Sequence, residues 1–229
     1  MSSSLWVEQF SERLQHIHQT LPSTVKLIAV SKQVSAAAIR TAYELGIRDF
    51  GESRIQEAAE KQIELADLPD LTWHLIGHLQ TNKAAKALEL FDWIHSVDSL
   101  KLAQRLDQLA TQRLQPPKIC LQVKIRTDPN KYGWTVSELL EHLPDLDRCS
   151  HLDIAGLMAI PPYGLPETET RAVFEQTRQL AEQIQQQPWN HIRLRELSMG
   201  MSDDYPLAVQ AGATMIRLGR TLFGSRETT

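Results

Sequence analysis

Cysteine is nearly absent: of 229 residues only Cys120, inside an apolar run, and Cys149, beside a polar turn, are cysteines, and neither belongs to a CxxC pair. A disulfide framework is thereby excluded, and two reduced thiols in a cytosolic protein are expected. Positive charge is not in excess either, since 24 Lys plus Arg stand against 28 Asp plus Glu for a net charge of -4. Binding a phosphate backbone needs a basic footprint, so no nucleic-acid partner is expected. No run approaches the ~20 apolar residues of a membrane span. The opening "MSSSLWVEQFSERLQHIHQTL" lacks the basic start and apolar block of a targeting segment. A soluble, cytoplasmic protein with no membrane partner is the expectation. Low-complexity segments and interdomain linkers are also missing. The Pro-rich "LQPPK" (114–118) and "PPYGLPETE" (161–169) are short enough to be connections within one fold.

What is present is alternation. Eight short strand-like runs recur, at 26–30, 48–52, 72–77, 93–97, 118–125, 154–160, 194–199 and 214–219. Between them lie segments with apolar residues at helical spacing, such as Ile55, Ala58, Ala59 and Ile63, or Leu100, Ala103, Leu106 and Leu109. Gly46 and Gly212 stand where left-handed helix ends are expected. Strict alternation implies parallel strands buried on both faces, and eight such units close into a (β/α)8 TIM-type barrel. An open doubly wound sheet is the competitor, but it would carry a Gly-rich turn after its first strand, and "AVSKQVS" has no glycine. Ahead of the first strand, Val7, Phe10, Leu14, Ile17 and Leu21 predict an extra amphipathic N-terminal helix that packs on the barrel wall or covers its floor. One barrel domain spanning 1–229 is expected.

Barrels of this class work at the C-terminal ends of their strands. That rim collects Lys32, Glu52, Ser53, His74, Gly77, His78, Ser96, Asp98, Met158, Ser198, Met199 and Arg217. In "LSMGMSDDYPLAV" and "IRLGRTLFG", Ser198, Gly200, Ser202, Gly219 and Arg220 fall in the loops after strands seven and eight, the habitual phosphate site of the fold. Ser202 taken alone reads as a helix N-cap. Lys32, at the end of an inward-facing strand, is a candidate nucleophilic amine. With a phosphate site across the rim, a phosphorylated aldehyde held as a Schiff base fits, and pyridoxal 5'-phosphate (PLP) is the obvious one. A plain surface cation, or an aldolase or isomerase acting on a sugar phosphate, stays open on spacing alone. His74 and His78 have no third ligand at a telling spacing, so no metal is expected.

The segments "AVSK", "FGES.IQEA..K", "WHLIGHLQTNK", "IHSVDS.KLA", "GLMAI" and "LSMGMSDDYPLAV..G.T.IRLGR..FG" resemble the pyridoxal phosphate homeostasis proteins, single-domain relatives of the alanine racemase N-terminal barrel. The resemblance runs from about Leu27 to Gly224. It implies that Lys32 carries PLP as a Schiff base, and that Ser198, with the backbone N–H groups of Gly219 and Arg220, holds the phosphate. Arg217 is implied to face the pyridine nitrogen. Ser53, His74, Met158 and Met199 complete the implied cofactor site, with Ser53 standing where the family commonly has Asn. The implied role is non-catalytic: reversible PLP binding in intracellular PLP homeostasis, and so in amino-acid and keto-acid balance. Transient contact with PLP-dependent apoenzymes is implied as well. The alternative is a PLP-dependent amino-acid racemase. That chemistry needs a second acid or base from an added domain, for which a chain ending at Thr229 is expected to lack room, although Tyr132, Tyr163 and Tyr205 lie in rim loops. A monomer is expected, because no apolar stripe is left once the helices cover the barrel.

Overall fold

Eight parallel strands follow one another around a closed ring in the computed structural model, which describes residues 3–224. They are β1 (Lys26–Val30), β2 (Asp49–Glu52), β3 (Thr72–Leu75), β4 (Trp93–Val97), β5 (Lys118–Lys124), β7 (Asp153–Ala159), β8 (Ile192–Ser198) and β9 (Met215–Leu218). Pairing of β4 with β5 and of β1 with β9 shuts the barrel. A further two-residue strand, β6 (Trp134–Thr135), adds to β5 inside what the sequence presents as a loop. Its Trp134 is buried and donates its indole N–H to the Val97 carbonyl at 3.0 Å, which draws the loop back onto the wall.

The helices α2 (Ala36–Glu44), α3 (Ile55–Glu64), α4 (Ala84–Leu90), α5 (Leu100–Ala110), α6 (Val136–Leu146), α7 (Glu167–Gln185), α8 (Tyr205–Gln210) and α9 (Arg220–Phe223) cover the outside. Local chemistry starts and stops them. Ser35 caps α2 by accepting from Ala38 N, and Thr135 with Glu138 forms a reciprocal capping box on α6. Gly46 and Gly212 sit at φ 98, the left-handed stop expected of them. The N-terminal helix α1 (Ser3–Thr20) lies on the wall beside α9, which has only four residues. Phe10 meets Phe223 at 5.4 Å between ring centroids, and Arg13 Nε donates to the Leu222 carbonyl at 2.8 Å. So α1 completes the outer layer where the last barrel helix is too short to do so.

One helix faces otherwise than its apolar spacing suggests. Ile63 is 79% exposed, whereas Lys61 is buried. The inward face of α3 is Ile55, Ala58, Lys61, because two carboxylates behind the barrel wall draw the ammonium in.

The main core lies between strands and helices and includes Phe50, Leu75, Ile94, Leu106, Leu157 and Phe174. A smaller cluster, Ile28, Trp93, Cys120, Ala155, Met158 and Met215, fills the barrel interior. There burial pushes the Cys120 thiol far above its ordinary range, so it packs as a small hydrophobe. No helix among the described residues is long and apolar enough to cross a membrane.

Candidate functional site

The end of β1 is held from behind. Ser31 Oγ donates to Glu52 Oε1 at 2.7 Å, and the Lys61 ammonium bridges the Ser31 carbonyl, Glu52 Oε1 and Glu57 Oε1, each at 2.7 Å. Gln33 takes a left-handed φ of 62, uncommon for a side chain of its kind, and its amide donates to Glu57 Oε1. Lys32 is therefore bracketed by two clamped neighbours. Glu52 was expected on the rim; it points outward to α3 instead, since successive strand residues face opposite sides. Burial raises its carboxyl above the usual carboxylate range despite its bonds to Lys61 and Ser31.

On the inner side, Lys32 lines a cavity of about 310 Å³. Its wall takes Val30 from β1, Ser53 and Ile76 from just past β2 and β3, and Ile160 past β7. Met201, Ser202 and Asp203 from the loop after β8 face Arg217, Gly219 and Arg220 from β9 and the start of α9. The backbone comes close at two glycines. A Cβ on Gly77 would lie 2.3 Å from the Ser53 carbonyl oxygen, and one on Gly200, at φ 93, would lie 2.6 Å from Ala208 Cβ. Ser202 ties the two loops together, its Oγ accepting from Thr221 N and its carbonyl from Thr221 Oγ1, both at 3.3 Å.

Arg217 forms the floor. Its Nη1 donates to the Ser198 carbonyl at 2.6 Å and to Ser198 Oγ at 2.7 Å, and Nη2 donates to the Ala159 carbonyl at 3.2 Å. Burial brings this guanidinium down to about 10, so it stays charged at neutral pH. Three cations, Lys32, Arg217 and Arg220, thus stand on one cavity against the single carboxylate Asp203, which pairs with Arg220 at 2.5 Å. The arrangement suits an anionic ligand presenting an electrophile to the amine.

Five of the nine residues expected at a cofactor meet here: Lys32, Ser53, Arg217, Gly219 and Arg220. The other four do not. Ser198, expected at a phosphate, is fully buried below Arg217 with its hydroxyl engaged by Arg217 and His95, and Ser202 occupies the wall. His74 is buried deeper still, its two ring nitrogens engaged by His95 and Asp49. Met158 belongs to the interior cluster and Met199 to the main core, and neither lines the cavity. Sequence reasoning missed Ile76, Ile160 and Met201, whose apolar side chains carry no signal apart from their place after a strand. His78 sits apart at the rim, 3.1 Å from Asp98 and stacked on Tyr132, so it does not converge with His74. Among the described residues no three His, Cys, Asp or Glu side chains are grouped to hold a metal. A second hollow of about 490 Å³ adjoins through Met201 and Asp203, and Tyr163 lines it without reaching the first.

Comparison with known proteins places the chain in a family. The family model described as alanine racemase, N-terminal domain, matches residues 7–227. A pyridoxal phosphate homeostasis protein of Synechocystis is 51% identical over 207 residues, 90% of this chain and 94% of that one. Its Pseudomonas aeruginosa counterpart is 44% identical over 206 residues, 90% of this chain and 86% of that one. PipY of Synechococcus elongatus, solved without PLP, superposes with a TM-score of 0.90 at 57% identity over 94% of this chain and 100% of that one. Solved with PLP bound, it gives 0.89 at 56% over the same shares. Alanine racemase of Clostridium difficile, at 13% identity and TM-score 0.77 over 96% of this chain and 58% of that one, shares the fold alone. The chain belongs to the pyridoxal phosphate homeostasis proteins, within the alanine racemase N-terminal domain family.

Proposed function

We propose that this protein binds pyridoxal 5'-phosphate reversibly in the 310 Å³ cavity, as a Schiff base on Lys32, and serves cytoplasmic PLP homeostasis without turning over a substrate. The observation that carries the reading is the convergence of Lys32, Arg217, the Gly219 backbone and Arg220 on one cavity. A relative 56% identical, solved with PLP bound, supports it. The donor set fits a phosphorylated aldehyde: an amine for the carbonyl, and cations with a helix-start backbone for the phosphate. Gly219 leaves room on that wall, since a Cβ there would come no closer than 3.6 Å to Val30.

PLP, when bound, supplies an electrophilic aldehyde and a ring that draws electrons once its nitrogen is protonated. Arg217 is charged and has only donors to offer, so a ring nitrogen held against it would be met as an acceptor and would be kept unprotonated. Carbanion chemistry is disfavoured in consequence. Racemisation also needs a second acid or base. Tyr132, Tyr163 and Tyr205 do not line the cavity, which supports a carrier over a racemase. We infer a monomer that hands the cofactor to apoenzymes through transient contacts.

The test is the near-visible absorption spectrum of wild type and Lys32→Ala with added PLP, before and after borohydride. A band that borohydride bleaches in the wild type and that the variant lacks supports the reading. A wild type with no such band at excess cofactor overturns it. Amino-acid chirality assays run alongside PLP transfer to an apoenzyme separate carrier from racemase.

A further inference from the structure

A file of polar side chains crosses the barrel interior beneath the cavity. Arg217 Nη1 lies 2.7 Å from Ser198 Oγ, Ser198 Oγ 2.8 Å from His95 Nδ1, His95 Nε2 2.9 Å from His74 Nδ1, and His74 Nε2 2.9 Å from Asp49 Oδ1. Lys26 Nζ reaches the same Asp49 oxygen at 3.0 Å from the barrel floor. Ser198, His95 and His74 are 0% exposed. Barrel interiors of this fold are ordinarily packed with branched apolar side chains, and buried polar groups are tolerated only when bonded.

Counting donors fixes the direction of every bond. A guanidinium only donates, and an ionised carboxylate only accepts. Burial opposes ionisation of Asp49, but its bonds to His74 and Lys26 hold it below the usual carboxylate range. Both imidazoles are driven toward the neutral form, chiefly by burial. A neutral imidazole has one N–H. His74 must place it on Nε2 to meet Asp49, so its Nδ1 accepts. His95 must then donate from Nε2, its Nδ1 accepts in turn, and the Ser198 hydroxyl donates there. The Ser198 oxygen receives Arg217. The reverse order would require the carboxylate to donate and would leave the Ser198 proton facing donors on both sides.

We propose that Asp49, at the floor of the barrel, is a positioning residue for Arg217: through this one-way file it sets the tautomers of His74 and His95 and holds the guanidinium under the cavity. The proposal rests on the reading that PLP lies over Arg217. The floor of the barrel, remote from the cavity, then governs how firmly the cofactor is retained.

The experiment is long-range proton–nitrogen correlation NMR of the full chain near neutral pH before PLP is added, followed by PLP release from the loaded protein. The wild type should show His74 and His95 both as neutral Nε2–H tautomers. Asp49→Asn, which keeps an acceptor oxygen, should retain them. Asp49→Leu removes the acceptor, so the His95 pattern should change two side chains away and PLP release should quicken roughly tenfold, the scale of one charge-assisted bond. Should Asp49→Leu not fold, Ser198→Ala cuts the file next to Arg217 and carries the same expectation for release with the His74 tautomer unchanged. An Nδ1–H or charged form at either imidazole in the wild type overturns the proposal. So does a variant that changes His95 without changing release, because the file then does not reach Arg217. Failure of the cofactor reading looks different: no borohydride-sensitive band in the wild type, with the imidazole pattern still deciding the direction of the file.

Discussion

The two mouths of the barrel use the same residue types to opposite ends. At the floor, cations are matched locally: Lys26 with Asp49 at 3.0 Å, Arg195 with both oxygens of Asp153 at 2.8 and 2.9 Å, Lys118 over the Trp93 ring at 5.4 Å. At the rim, Lys32, Arg217 and Arg220 share a cavity with one carboxylate. Floor charges neutralise one another and favour the fold, while rim charges leave a positive field for an anionic ligand. The difference teaches where to look for chemistry in a barrel of modest net charge: at the end where several cations converge on one cavity. Asp49 joins the two regions, because it closes a floor pair and anchors the file to Arg217.

Three substitutions sharpen this contrast, beyond the loss of the PLP band in Lys32→Ala. The largest effect on stability is expected from Lys61→Met behind the rim. It strands the fully buried Glu52 carboxylate and Glu57 without their common cation, at a cost of about 3–5 kcal/mol. Urea unfolding should show a lower midpoint at unchanged slope. A midpoint equal to wild type would mean that the rim is not braced from behind.

Asp147 gives an intermediate effect at the floor. Burial would raise its pKa, but bonds from the backbone N–H groups of His191, Asn190 and Ile192 and from the Asn190 side chain outweigh burial and lower it. A depressed carboxyl contributes stability above its unfolded value of about 4 and loses it as pH falls through the lower folded value. Asp147→Asn should therefore be less stable than wild type by about 1 kcal/mol at neutral pH, allowing for solvent screening. The gap should narrow as the pH falls below about 4. A gap constant with pH, followed by thermal unfolding, would assign the cost to geometry rather than charge.

The smallest effect belongs to Arg195→Ala. Its side chain is half exposed, so breaking the pair with Asp153 should cost less than about 1 kcal/mol and leave PLP affinity unchanged. A clear loss of PLP affinity would erase the distinction between floor and rim.

Much of this was legible in the chain. Alternation of short apolar runs with amphipathic segments dictated parallel strands and a closed barrel, and Lys32, Ser53, Arg217, Gly219 and Arg220 could be placed because residues at or just after the end of a barrel strand collect at the rim. Other readings failed where facing is a matter of one residue. Glu52 and Ser53 are adjacent, yet one points to α3 and the other to the cavity. Ile63 has the apolar side chain, but Lys61 is the one buried, since an ion pair outranked the hydrophobic spacing. "WIHSV" did hold a visible signal, a histidine within a fully buried strand, and that residue belongs to the interior file.

The sequence by itself determined the period of the strands and helices, the stops at Gly46 and Gly212, and the lysine at the end of the first strand, because those depend on local backbone preference and side-chain spacing. Only the tertiary structure decided that Ser198 and His74 lie below the cavity, that Ser202 lines its wall, and that Asp49 connects to Arg217. Those contacts join residues as many as 103 positions apart, as His95 and Ser198 are. Closure of the barrel and the register of its strands are what bring them within hydrogen-bonding distance, and no local preference encodes that.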